Sequence, residues 1–190
     1  KQNKFGEAEK IFLKLIKNYK SLEIAYLNLS TLYSQKNQLS KSIKILKKGI
    51  KVSPNYMPFF KNLACFYRNS GQIKLAIETN LYLISKNQFD FKSFFELSGI
   101  YDFKNHKNQL NFLFNTKLDV LNPNAKIYAA FAISNILHKQ RNFKKSAEYL
   151  KIANYECLKQ KKSDYSLKIN NAEFYRSLKV DNQIFKEANT

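Results

Sequence analysis

The chain has 190 residues, 44% of them hydrophobic, which is enough to bury a core in one domain or two small ones and excludes a disordered polypeptide. Only 4 Gly and 3 Pro interrupt it against 16 Phe and 12 Tyr, a balance that favours long helices over a turn-rich sheet. The formal charge of +19 invites a polyanion partner, but only Arg68, Arg141 and Arg176 are arginine, so the excess lacks the planar fork of bidentate phosphate and guanine contacts.

In chain order, the first helical pattern covers residues 1–20 and carries Ala8, Phe12 and Leu15 on one face. From residue 23 a longer pattern begins in which Tyr26, Leu29, Ser30 and Tyr33 recur at the i, i+3, i+4, i+7 spacing of a helix face. The same stripe returns as Phe60, Leu63, Ala64, Tyr67 and again as Phe94, Leu97, Ser98, Tyr101. Asn3, Asn37, Gly71 and Asn105 punctuate the series at intervals of 34 residues, and Asn and Gly tolerate the left-handed conformation that ends a helix. After each junction a second helix shows a small residue near its start, as in Ser42, Leu46, Gly49 and in Ala76 with Leu83. Pro54 and Pro123 are expected to end two of these second helices, because proline cannot continue the hydrogen-bond ladder.

A large apolar residue, Leu, a small residue and Tyr on one helix, followed by Ala, an aromatic and Pro on the next, resemble the signature of the tetratricopeptide repeat (TPR). The resemblance covers about the first 155 residues and implies an all-α, right-handed α-solenoid of helix-turn-helix repeats: a half repeat over 1–20 and repeats near 23–56, 57–90, 91–124 and 127–157. Leu110 stands where a small residue is expected and Lys117 at another interior position, so the third pair should pack less regularly. In the last repeat Ala130, Ile133, Ser134 and Leu137 face Ser146, Leu150 and Ala153. Ser163 and Asp164 open an expected capping helix within 158–179, with Tyr165, Leu167, Ile169, Phe174 and Leu178 covering the last apolar face. Residues 180–190 read as a tail or linker to a further domain, and the absence of an initiator Met at Lys1 likewise suggests part of a longer protein.

Catalytic chemistry finds no foothold. His106 and His138 lie at helix ends, away from metal-ligand spacing to any Cys or other His, and no cofactor or metal is expected. Cys65 and Cys157 form no CxxC pair, which fits a reduced, cytoplasmic chain, and no apolar run reaches the length of a membrane span. The Asn28-Leu29-Ser30 sequon falls on a helix with two of its residues inward, so it is read as chance.

What the TPR resemblance does imply is a concave groove lined by the first helix of each pair. At about 100° per residue, the row opposite the core stripe contains Ile24, Asn28, Thr31 and Gln35, then Pro58, Asn62, Cys65 and Asn69. It continues with Lys92, Glu96, Gly99 and Phe103, then Tyr128, Ala132, Asn135 and Lys139, flanked by Leu27, Lys61, Phe95 and Phe131. The lysines crowd the second helices instead, as in Lys41, Lys44, Lys47, Lys48 and Lys51. The candidate groove is therefore Asn28, Thr31, Lys61, Asn62, Cys65, Lys92, Phe95, Glu96, Phe131 and Asn135, whose amides and aromatics suit a protein or peptide segment. Nucleic acid is not an expected partner. A carboxylate clamp of the kind some TPR proteins use would match Asn62 and Lys92, but Leu27, Thr31 and the negative Glu96 depart from it.

The last repeat also resembles a narrower group. Ile127-Tyr128-Ala129-Ala130-Phe131-Ala132, Arg141-Asn142-Phe143 and the helix from Lys144 through Leu150 to Ala153-Asn154 are similar to the repeat before the sulfotransferase domain of bacterial TPR-sulfotransferase proteins. That resemblance implies a following domain that transfers sulfate from PAPS through a glycine-containing phosphate loop. The last glycine here is Gly99, so such activity would belong to residues beyond Thr190. Three functional readings follow: a non-catalytic scaffold with a peptide in its groove, the recognition arm of a sulfotransferase, or a polyanion binder.

Overall fold

The computed structural model describes residues 2–160, with side-chain surroundings from residue 5 onward. Nine α-helices make up this part: α1 (Gln2–Asn18), α2 (Glu23–Gln35), α3 (Leu39–Val52), α4 (Met57–Asn69), α5 (Ile73–Lys86), α6 (Phe91–Ile100), α7 (Lys107–Asn115), α8 (Pro123–Lys139) and α9 (Phe143–Gln160). Two short 3-10 turns, Phe103–Asn105 and Leu118–Val120, flank α7. Each helix packs on the next in the chain through most of the array, and α2 meets α4 as α6 meets α8, so the first helices of the pairs form one wall. The helix expected within 158–179 and the tail over 180–190 lie outside the described residues, apart from the end of α9.

Three of the four junctions share one hydrogen-bond pattern. The amide of Gln38 donates to the Tyr33 carbonyl (2.8 Å), Gln72 to Tyr67 (2.8 Å) and Asn142 to Leu137 (2.9 Å), the six-to-one bond that closes a helix after a left-handed residue. That residue is Asn37 at φ 57°, Gly71 at φ 75° and Arg141 at φ 60°. Asn105, in contrast, lies inside a 3-10 turn and outside the positive-φ set.

The third pair departs further. Leu113, Phe112 and the half-buried Leu110 hold α7 against α6 by large side chains, with the Phe94 and Phe112 rings 6.4 Å apart, while α6 lies close along α8 instead. The less regular packing expected from Leu110 is found. Lys117, expected at an interior position, lies beyond the end of α7 with its side chain exposed, because the chain leaves the helix at Asn115. Pro123 begins a helix instead of ending one: Asn122 caps the Ala125 amide (2.9 Å), and proline fits the first turn, where its missing N–H costs nothing. Leu150, expected to face Ser134, is 42% exposed; α8 and α9 are joined by Ser134 and Ser146, each hydroxyl donating to the other's carbonyl at 2.9 Å, and by the buried Ala153.

The stripe residues Tyr26, Leu29, Ser30, Tyr33, Leu63, Ala64, Tyr67, Phe94, Leu97 and Ser98 are all buried. Two apolar clusters result. One spans α1 to α5 around Leu29, Leu46 and Phe59, and the other spans α5 to α9 around Phe94, Leu97 and Ile133. Phe60 is only half buried against Tyr82, and its neighbour Phe59 fills the core. Phe59 can do so because Gly49 faces it: a Cβ on Gly49 would lie 2.7 Å from the Phe59 ring.

Two outcomes are expected. Alanine normally improves on glycine inside a helix, but Gly49→Ala should destabilise by about 1 to 3 kcal/mol through overpacking, and Phe59→Leu in the same chain should recover part of that loss. Urea unfolding of the single and double variants measures both. On α1, Glu9 accepts from the Tyr33 hydroxyl (2.9 Å) and from Lys36 (3.2 Å), and the Tyr33 bond first, with Lys36 behind it, holds the carboxyl below its usual range. A depressed folded value means that this contribution is present above the unfolded carboxyl pKa and is lost as pH falls through the folded one. Stability measured from about pH 6 down to about pH 3 should therefore fall less steeply in Glu9→Gln than in the parent chain.

Candidate functional site

The wall formed by α2, α4, α6 and α8 carries the ten residues singled out from the sequence. Asn28 and Thr31 on α2 are both exposed, and the Thr31 hydroxyl donates to its own helix at Leu27 (3.0 Å). These two make no side-chain bond to the other eight, which lie on the next three first helices.

Between α4 and α6 the contacts are made by ions. Lys61 reaches Asp90 at 3.3 Å, and Arg68 pairs with Glu96. Asp90 is the N-cap of α6, its carboxylate accepting from the Ser93 amide (3.4 Å), and its side chain is only 6% exposed. Lys61, Cys65, Lys92 and Glu96 line a small cavity of about 30 Å³ together with Asn80, Asp90, Ala64 and Leu83, room for a single water. Asn80 is buried at 4% and donates to the Ala76 carbonyl (3.0 Å). It occupies the place of Leu46 one repeat earlier, so a polar seam divides the two apolar clusters.

Between α6 and α8 the contacts change character. Phe95 lies 5.7 Å from Phe131 and 5.8 Å from Tyr128, ring centre to ring centre, and all three are half buried. Beside them Asn135 donates to the Ser98 hydroxyl (2.9 Å), and that hydroxyl donates to the Phe95 carbonyl (2.7 Å). Asn62 is half buried on α4, where Asn69 also donates weakly to the Cys65 sulfur (3.7 Å).

Two other members of the expected row belong elsewhere. Ala132 is fully buried because α8 packs tightly along α6, and Phe103 enters the core from the 3-10 turn after α6 has ended. Asp90, Arg68 and Asn80 were missed. An Asp directly before an apolar helical run is a readable cap signal, and a polar residue at a core position of the repeat is readable too. Nothing in the sequence marks Arg68, whose partner lies 28 residues away.

The two histidines serve structure. The Tyr101 hydroxyl and His106 Nδ1 are 2.6 Å apart, and the exposed His138 ring meets Phe143 edge to face. Cys65 and Cys157 are free thiols. Among the described residues no three His, Cys, Asp or Glu side chains gather as a metal site would require, and no helix is long and apolar enough to cross a membrane. The lysines Lys41, Lys44, Lys47, Lys48 and Lys51 are exposed on α3, and two of them lie over aromatic rings, Lys41 over Tyr33 (5.5 Å) and Lys47 over Tyr67 (5.7 Å).

Comparison with known proteins agrees with this architecture. Residues 24–56 match the tetratricopeptide repeat family. The chain is similar to a crystal structure of MamA, with 18% identity, 85% of this chain and 94% of that one covered, and a TM-score of 0.62. It is also similar to the nearly identical TPR-like repeats of a putative kinesin light chain from Podosopora anserina, with 14% identity, coverages of 85% and 89%, and a TM-score of 0.61. No curated protein matches the chain. At these identities the likeness is one of fold, and the fold is an all-α TPR superhelix.

The Asp90 arrangement can be dissected. Asp90→Ala removes both cap and ion pair and should cost about 1 to 2 kcal/mol, whereas Asp90→Asn keeps a capping oxygen and should cost about 1 kcal/mol or less. Chemical denaturation of the two variants separates these contributions.

Proposed function

We propose that this TPR solenoid is a non-catalytic scaffold that holds an extended protein or peptide segment along the inner wall of its first helices. The observation that carries this reading is the half-buried aromatic group Phe95, Tyr128 and Phe131 beside the amide of Asn135, with the half-buried Asn62 on α4. Aromatic anchors supply apolar area with little loss of side-chain freedom, and amides can meet a partner's backbone. The charges nearby are largely satisfied within the fold, since Lys61 is paired with Asp90 and Glu96 with Arg68. An inner wall with few unpaired cations suits a neutral or mixed segment better than a polyanion, and the exposed lysines of α3 belong to the second helices. Asn28 and Thr31 extend the same wall toward the first repeat.

The expected behaviour is specific. Peptides selected from a displayed library on the immobilised chain should bind at least about ten-fold more weakly to a Phe95→Ala, Phe131→Ala double variant, as the loss of anchor contacts implies. Lys41→Gln with Lys44→Gln and Lys48→Gln should leave them unchanged. Peptides that ignore the aromatic substitutions and respond to the lysine ones would place the site on the outer wall and refute the proposal.

A further inference from the structure

A cavity beside the third pair has a local origin. Helices α2 and α4 end at Gln35 and Asn69, positions equivalent to residue 103, whereas α6 ends at Ile100. Tyr101 and Asp102 are extended, with φ and ψ of −123° and 144°, and −103° and 115°, so the last turn of the helix is missing. The Asp102 carboxylate then caps the Lys104 amide (3.2 Å) and starts the 3-10 turn. Where the lost turn would have covered the end of α8, a space of about 690 Å³ remains, a volume typical of small-molecule sites.

Its walls are apolar and its rim is cationic. Ile100, Phe103, Leu110 and Ile136 supply the floor, with Phe103 and Ile136 buried. Lys104, Lys107 and Lys139 stand at the rim against a single carboxylate, Asp102. Lys104 engages that carboxylate at 3.0 Å and, by its hydrogen bond first and with the charge of Lys139 adding to it, holds it below its ordinary range. Among the described residues Lys107 and Lys139 enter no salt bridge. The result is an apolar hollow whose three lysines outnumber its one carboxylate by two at the mouth.

We propose that this cavity binds a small amphipathic carboxylate, its bulky apolar body seated against Phe103, Leu110 and Ile136 and its anionic end at Lys107 and Lys139. The proposal does not depend on the inner wall binding a peptide. Charge complementarity selects the anion, and the apolar floor selects a compact hydrophobic body over a bare phosphate or sulfate.

The test uses the 190-residue chain with 2-naphthylacetate and its uncharged analogue 2-naphthylacetamide, titrated calorimetrically. The acetate should bind, the amide about ten-fold more weakly, and Lys107→Gln with Lys139→Gln should bring the two to similar affinity. Gly99 offers an independent handle, because it lines the cavity and a Cβ there meets nothing within 4 Å. Gly99→Phe should fill the space and abolish binding of both ligands without lowering the melting temperature. No binding of the acetate at millimolar concentration, equal affinity for acetate and amide in the parent chain, or full affinity in Gly99→Phe would each overturn the assignment. Preference for the C-terminal carboxylate of Ac-Gly-Gly-Phe with indifference to naphthylacetate would overturn it too, by making the site one for peptide ends.

Discussion

The step from one repeat to the next depends on matching a large side chain on one helix with a small one on its neighbour. At the α3–α4 step the small partner is Gly49 and the large one Phe59, pressed together so closely that a methyl group would not fit. One repeat earlier the equivalent positions are Leu15 and Ala25, and one repeat later Leu83 and Ser93, so the sizes are exchanged across the pair. Either order conserves the volume at the step, and volume-conserving exchanges are the changes that a packed interior tolerates best. A solenoid has only nearest-neighbour interfaces, which makes each such match responsible for the continuity of the whole array.

The matching is interrupted in the middle. Asn80 replaces a core leucine, Asp90 and Lys61 meet beside it, and the two apolar clusters stop on either side. Apolar contact resumes between α6 and α8, where Phe95 also meets Tyr128 and Phe131. The wall of first helices thus changes from ionic to aromatic along its length.

Much of this was legible because the pattern repeats. The stripe from Tyr26 to Tyr33 recurs at a fixed interval, and Asn37 and Gly71 fall where a left-handed residue must end the helix. The third pair resisted the same reading. A constant interval places Lys117 in the core and gives Asn105 a helix-ending role, but the early end of α6 and the two 3-10 turns put the chain out of phase. Pro123 was ambiguous in itself, since proline is as suited to a helix's first turn as to the residue beyond its last, and only the Asn122 cap decides. Of the inner wall, the rings and amides could be placed from helical spacing, whereas the Arg68–Glu96 and Lys61–Asp90 pairs join separate helices and leave no periodic trace.

The lysines over tyrosine rings give the basic composition a structural share. Lys41 and Lys47 lay their stems and charges across Tyr33 and Tyr67, shielding rings that join neighbouring helices while keeping their ammonium groups in water. Two such molecules drawing near flank to flank present the same sign of field to each other, felt over roughly 10 Å at about 0.1 M salt. That like charge opposes association of two copies through these flanks.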